Sequence, residues 1–319
     1  MLRREFMVLL GAATVLPITA SAQPSTFRLG ILVVGSSDVE PLIKELREGL
    51  RQLGYAEGQN IVFEFRSAGG ATARLPSLAN ELVALKVDLI VAFQTPAVTA
   101  AKQATAEIPI VMGASGDPVG TGLIASLARP GGNIAGVSGA SGELGGKNLE
   151  LIREVLPSAR RVAVLANAPD PFHKPFLENI QSSGQTLGIE IKPILVRGVE
   201  EFDAAFAEME KWRAEAVIVQ PSLPHRRAVD MALKHRLPSF APNADFAQAG
   251  GLMAYSADQL ALTREAANFV DKILKGRKPA DLPVQLPVKF LLVINLKTAT
   301  ALGLTLPPTL LTRADQVIE

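Results

Sequence analysis

From Phe27 onward, short apolar runs alternate with amphipathic stretches, and the alternation passes through one order twice. Phe27 to Val34 reads as a strand ended by Gly35-Ser36-Ser37. Val39 to Leu53 then carries Leu42, Ile43, Leu46, Leu50 and Leu53 at helical spacing, with Gly54 as its C-cap. Ile61–Phe65 reads as a strand, Thr72–Leu85 as a helix and Asp88–Phe93 as a strand. Pro96–Ala106 reads as a helix with proline in its first turn, and Ile108–Met112 as a strand. The order returns with a strand at Arg161–Asn167, a helix at Phe172–Leu187 ending at Gly188, and a strand at Ile189–Val196. A helix at Glu201–Trp212, a strand at Ala216–Val219 and a helix at His225–His235 follow. Punctuation recurs as well: Leu53-Gly54 matches Leu187-Gly188, Ile108-Pro109 matches Leu237-Pro238, and Gly131-Gly132-Asn133-Ile134 echoes Gly250-Gly251-Leu252-Met253. Strand–helix alternation implies parallel sheets covered on both faces. The chain is therefore expected to form two doubly wound α/β lobes.

After Gly250-Gly251 the chain continues through a strand at Leu252–Tyr255, a strong amphipathic helix at Gln259–Leu274 and a Pro-rich, charged stretch from Gly276 to Pro287. A strand at Phe290–Ile294, a helix at Leu296–Leu302 and a short helix after Pro307-Pro308 complete it. Segments added after two complete lobes imply repeated crossings, and repeated crossings make a hinge around a closing cleft.

The first residues read differently. Arg3-Arg4-Glu5-Phe6-Met7 resembles a twin-arginine export signal, and Met7 to Ile18 is apolar for about a dozen residues, short of the roughly 20 needed to span a bilayer. Ala20-Ser21-Ala22 fits signal-peptidase cleavage after Ala22, which predicts residues 1–22 as a leader and a periplasmic mature protein. The full chain is 48% hydrophobic and 20% charged with a net charge of +1, a balance that argues against nucleic acid as partner. With no cysteine there are no disulfides, thiol nucleophiles or thiolate metal sites.

Chemistry-bearing motifs are sparse. His173, His225 and His235 show no metal-ligand spacing, and neither a Gly-x-Ser-x-Gly elbow nor a phosphate-binding loop is present. Gly120-Thr121-Gly122-Leu123-Ile124-Ala125 fits a dinucleotide pattern but follows the fourth strand, not the first, so no cofactor and no metal is expected. What recurs is a small hydroxyl, amide or carboxylate where a strand meets a helix: Ser36 and Ser37, Gln94 and Thr95, then Ser115 and Asp117. The second half supplies Asn167, Ser222 and Asp245. The carboxyl ends of strands face the ligand crevice of open α/β sheets, and helix N-termini there suit a carboxylate. The same residue types are also ordinary N-caps. One tryptophan, Trp212 at a charged helix end, is a poor sugar platform; Tyr255 and Ser138 complete the candidate binding set, on a strand end and at a crossing.

Six motifs in order then carry a resemblance: the Arg-Arg-Glu-Phe leader, Leu53-Gly54-Tyr55-Ala56-Glu57-Gly58-Gln59-Asn60, Gly116-Asp117-Pro118-Val119, Arg129 to Ser138, Ala249 to Tyr255, and Lys278 to Gln285. Together they resemble the substrate-binding proteins of tryptophan/tyrosine-type ABC importers. The resemblance implies a type 1 periplasmic-binding fold with three crossings, lobe 1 taking residues 27–137 plus 252–282 and lobe 2 taking 138–251 plus 283–319. It implies that Thr95 and Ser115 hold a ligand carboxylate and that Asp245 meets an ammonium. It further implies a non-enzymatic receptor for a small carboxylate-bearing solute, an amino acid or related compound, delivered to ABC permease membrane subunits; the crossings around Ser138, Gly250-Gly251 and Pro283 predict a monomer that closes on its ligand. An exported hydrolase and a sensory ligand-binding module would use the same cleft.

Overall fold

The first apolar run folds as β1 (Phe27–Val33), and its alternation feeds two cores at once: Leu29, Ile31 and Val33 face one cluster, while Leu32 and Val34 face another. The computed structural model describes residues 26–35, 39–139 and 141–319. Helix α1 (Glu40–Gln52), β2 (Ile61–Ser67), α2 (Leu75–Ala84), β3 (Leu89–Ala92), α3 (Thr95–Ala104), β4 (Ile110–Ser115) and β5 (Ile134–Ser138) follow. These strands form one parallel sheet in the order β2-β1-β3-β4-β5.

The second lobe repeats that winding. It comprises α4 (Ser141–Val155), β6 (Arg161–Asn167), α5 (His173–Leu187), β7 (Glu190–Val196), α6 (Phe202–Trp212) and β8 (Ala216–Val219). Then come α7 (His225–Lys234), β9 (Ser239–Ala241), α8 (Ala244–Gln248) and β10 (Met253–Ala257). Its sheet runs β7-β6-β8-β9-β10, the first sheet's order step for step. The chain ends with α9 (Gln259–Leu274), β11 (Phe290–Asn295), α10 (Leu296–Leu302), α11 (Pro308–Arg313) and β12 (Gln316–Ile318). Strand β11 pairs antiparallel with β10 and parallel with β12, extending the second sheet to seven strands.

The strand after each Gly-Gly turn joins its own lobe's sheet, and the helix after that strand packs on the other lobe. Helix α4 follows β5 but packs against α5 and β10; α9 follows β10 but packs against α1, β4 and β5. This exchange corrects the expected boundary, which gave residues 252–282 to lobe 1. Met253–Ala257 pairs with β9 and β11, so the chain leaves lobe 2 only at Ala257–Asp258. Crossings therefore occur between β5 and α4, at Ala257–Asp258, and after Gln285, which bridges Val137 of β5. The second and third are tied: Asp258 N donates to Lys289 O at 3.0 Å, and Lys289 Nζ lies 2.9 Å from Asp258 Oδ2. Asp258 also caps α9 by accepting from Ala261 N at 3.1 Å.

Each sheet is buried on both faces, giving four main cores. Two sandwich the first sheet, and two the second, where Val162 and Val164 face one side and Ala163 and Leu165 the other. Full burial of a Leu or Ile side chain contributes roughly 1.5–3 kcal/mol, so the framework carrying the strand-end loops is rigid relative to the loops themselves.

Candidate functional site

In an order of β2-β1-β3 the winding direction reverses between β1 and β3, and the crevice at such a switch point receives ligand. Both lobes place their switch points toward each other. The largest of three cavities along this cleft has a volume of about 480 Å³. Lobe 1 lines it with Val34, Gly35, Gly69, Gly70 and Gln94, all at strand carboxyl ends, and lobe 2 with Pro221 to Arg226, Asp245 and Gln248. Two smaller cavities, of about 40 and 30 Å³, adjoin it and share Gln94.

Gln94 is the residue common to all three. It precedes α3 with φ 70° and ψ 154°, a region that belongs to glycine. Ala114 (φ 74°), at the register shift near the end of β4, and Asp117 (φ 35°), in the loop after it, are also left-handed non-glycine residues. The strained backbone carries the Gln94 side chain across the cleft, where Nε2 donates to Pro221 O at 3.3 Å. Close by, Phe172 of lobe 2 lies against Gly116 of lobe 1. A Cβ on Gly116 would fall 2.8 Å from two atoms of that ring.

The hydroxyls of lobe 1 engage one another. Thr95 Oγ1 lies 3.0 Å from Ser115 Oγ and accepts from Gly116 N at 3.1 Å, joining the start of α3 to the end of β4. Both side chains are buried, and Thr95 borders only the 40 Å³ cavity among the three. Ser138 Oγ donates to Ser115 O at 3.4 Å. Asp117 Oδ1 accepts from Gly120 N at 2.9 Å, so it shapes its own loop.

Lobe 2 holds a denser polar cluster at the ends of β6 and β8. Asp170 Oδ2 accepts from Ser222 Oγ at 2.6 Å and from Gln220 Nε2 at 2.7 Å, while Oδ1 accepts from Phe172 N at 2.9 Å. Asn167 Nδ2 donates to Ser222 Oγ at 3.1 Å, and Asn167 N donates to Gln220 Oε1 at 2.9 Å. Burial pushes the Asp170 carboxyl up to about 6, against the pull of its three donors.

Of the sequence-derived candidates, the structure brings Gln94, Ser222 and Asp245 to the 480 Å³ chamber. Thr95 borders the smaller cavity beside it, with Ser115 behind, and Asn167 supports Ser222. Ser138 and Asp117 stand behind the lobe 1 loops. Tyr255 sits in mid-strand with its ring stacked on Phe290 at 5.9 Å, part of the lobe 2 core, and borders none of the three cavities. Ser36 and Ser37 lie outside the described residues. Sequence reasoning placed Asp170 in the strand-end loop that begins at Asn167 without choosing it as a site residue, and passed over Gln220, Arg226 and Gln248. Gln220, a polar residue directly after the four-residue apolar β8, is the one whose position signalled a strand end.

A family model for ABC transporter substrate-binding proteins matches residues 31–318, nearly the whole described chain. The chain belongs to that family. A tyrosine-binding protein from Clostridioides difficile is 28% identical over 268 residues, covering 81% of this chain and 75% of the relative. A Streptococcus pneumoniae ABC domain solved in complex with L-Trp is 27% identical, with a TM-score of 0.85 over 92% of this chain and all of that one. A conserved domain protein from Vibrio cholerae gives 26% identity and a TM-score of 0.86 over the same share of this chain. The protein is thus an ABC substrate-binding protein with the two-lobed type 1 architecture, and its cleft is a solute-binding cleft.

Proposed function

We propose that this substrate-binding protein captures a small amino acid, aromatic ones first, in the chamber between its lobes and hands it to ABC permease subunits in the membrane. The observation that carries the reading is the chamber of about 480 Å³, lined by strand ends of both lobes at their switch points. A volume of this size lies within the about 300–1,000 Å³ of small-molecule sites. Relatives at 27–28% identity that bind L-Trp or tyrosine support the ligand class. Asp245 offers a carboxylate to an ammonium, and Gln94, Ser222 and Gln248 offer neutral polar contacts.

The cleft works as a hinge device rather than a catalytic one. Three crossings join the lobes, and the contacts that close it, Gln94 with Pro221 and Gly116 with Phe172, come from opposite lobes. The basic, apolar and small-residue pattern of residues 1–22 supports export, cleavage after Ala22 and action in the periplasm. Calorimetric titration of the purified protein with the twenty amino acids tests the reading. Binding of L-Trp or L-Tyr at micromolar or tighter affinity, with contraction in small-angle scattering, is the expected result. Indifference to every amino acid would remove the amino-acid class while leaving the family intact.

A further inference from the structure

The chamber carries charge on one wall. Among its described lining residues Arg226 is the one lysine or arginine and Asp245 the one carboxylate, and both belong to lobe 2. Arg226 is exposed and makes no hydrogen bond or ion pair with any described residue. Its neighbour Arg227 shows the contrast, with Nη2 2.9 Å from Asp203 Oδ2. The fold therefore supplies an acid to the arginine outside the chamber and none to the arginine lining it.

Backbone electrostatics point the same way. Arg226 sits in the first turn of α7, which contains no acidic residue and starts from Pro224 without a side-chain cap. Cations in a first turn oppose the helix dipole, and the first amide N–H groups have no acceptor inside the helix. A guanidinium and a helix start thus share one wall, and both favour an anion. Room decides where that anion sits. The cavity at Thr95 is about 40 Å³ and bounded by Phe172, with the Thr95 and Ser115 hydroxyls bonded to each other, whereas Arg226 opens onto about 480 Å³.

We propose that Arg226 holds the carboxylate of the bound solute through its two-pronged guanidinium, while Asp245 on the same wall meets the ammonium of an amino acid. Planar guanidinium and carboxylate match in a bidentate pair. A dianion such as phosphate fits less well, because Asp245 repels the second charge. The assignment rests on the reading of the cleft as a solute site, and it moves the carboxylate from the lobe 1 hydroxyls to lobe 2.

The test crosses two ligand forms with two proteins. L-Tyrosine, L-tryptophan, their amides and 4-hydroxyphenylacetate are titrated into the wild type and Arg226→Gln, with inorganic phosphate as competitor. Because Arg226 is exposed, the variant keeps its melting temperature. The carboxylates are expected to lose about tenfold or more in affinity on Arg226→Gln, in the range of a charge-assisted bond, and the amides to bind both proteins alike. Arg226→Lys should recover part of the loss, since it keeps charge without the fork. Equal affinity of the wild type and the Gln variant for the amino acids would overturn the assignment and leave the amino-acid reading standing. Binding of 4-hydroxyphenylacetate alone, lost on Arg226→Gln, would uphold Arg226 and remove the amino-acid class. Phosphate outcompeting every carboxylate, or no carboxylate binding the wild type, would overturn the assignment.

Discussion

The ring of Phe172 lies so close to Gly116 that a Cβ there would stand 2.8–2.9 Å from three of its atoms. The two residues belong to different lobes, and Gly116 has no left-handed backbone to demand glycine. The close approach of the Phe172 ring from the other lobe is what leaves no room for a Cβ here.

Gly116→Ala should therefore act on the closed state alone. Overpacking of this kind costs about 1–3 kcal/mol, which becomes an affinity loss of roughly 5- to 150-fold if it appears only on closing. The melting temperature without ligand should scarcely change, and the scattering contraction with ligand should shrink. Adding Phe172→Ala should recover much of the affinity. A variant that melts early and binds normally would mean that the contact belongs to the folded core of one state, not to closure.

Thr95→Ala separates two placements of the carboxylate. Its Oγ1 accepts from the Gly116 amide and pairs with Ser115, so truncation leaves a buried donor unmet and should lower stability by about 1–2 kcal/mol. With the carboxylate on Arg226, affinity should stay within about threefold, well under the tenfold that a charged hydrogen bond supplies. Thermal melts beside titration of the amino-acid ligand read both quantities. A tenfold affinity loss at unchanged stability would return the carboxylate to Thr95 and Ser115.

Asp170 makes stability depend on pH. Its carboxyl titrates near 3.8 unfolded and near about 6 folded, raised by burial. Between these values the native chain holds a proton that the unfolded chain has released, so stability falls as pH rises through this window and levels off above it. Two pKa units correspond to roughly 3 kcal/mol. Asp170→Asn removes this contribution, whatever its constant cost in hydrogen bonding. The difference in unfolding free energy between variant and wild type should shift toward the variant by up to about that amount from pH 4 to pH 7. A difference that stays flat across the window would mean that Asp170 is not proton-linked to folding.

Much of this was legible in the chain because period and punctuation agree. The β1 alternation, the Gln259–Leu274 helix and the paired Gly-Gly turns carry the two-lobe winding in local pattern. Helix α4 was not legible, and Gly145 and Gly146 explain why. A Cβ on Gly145 would meet Ile180 Cγ1 at 2.6 Å, and one on Gly146 would meet Ser183 Oγ at 2.5 Å, so glycines that look like a loop permit close packing on α5. Strand β5 was hidden similarly, since Gly136 (φ 127°) brings its backbone against Met112 of β4. The loops of the site could be read from strand ends, but Arg226 could not. Its meaning comes from lacking the partner that Arg227 has, which only the folded chain reveals.

Gln94 joins fold and function most directly. Its backbone occupies a region costing about 1–3 kcal/mol for a residue with a Cβ, while its side chain borders all three cleft cavities and bonds across to Pro221 O. Gln94→Gly removes both strain and side chain; Gln94→Ala removes the side chain and keeps the strain. Glycine loses more chain entropy on folding, by about 0.4–1 kcal/mol, so Gln94→Gly should end more stable than Gln94→Ala by roughly 1 kcal/mol. Both should bind the amino-acid ligand about three- to tenfold more weakly, the effect of one neutral hydrogen bond lost on closure. Chemical denaturation orders the stabilities and titration reads the affinities. If Gln94→Ala proved the more stable variant, the strain would not be real; if both kept full affinity, the bond to Pro221 would play no part in holding the lobes over the solute.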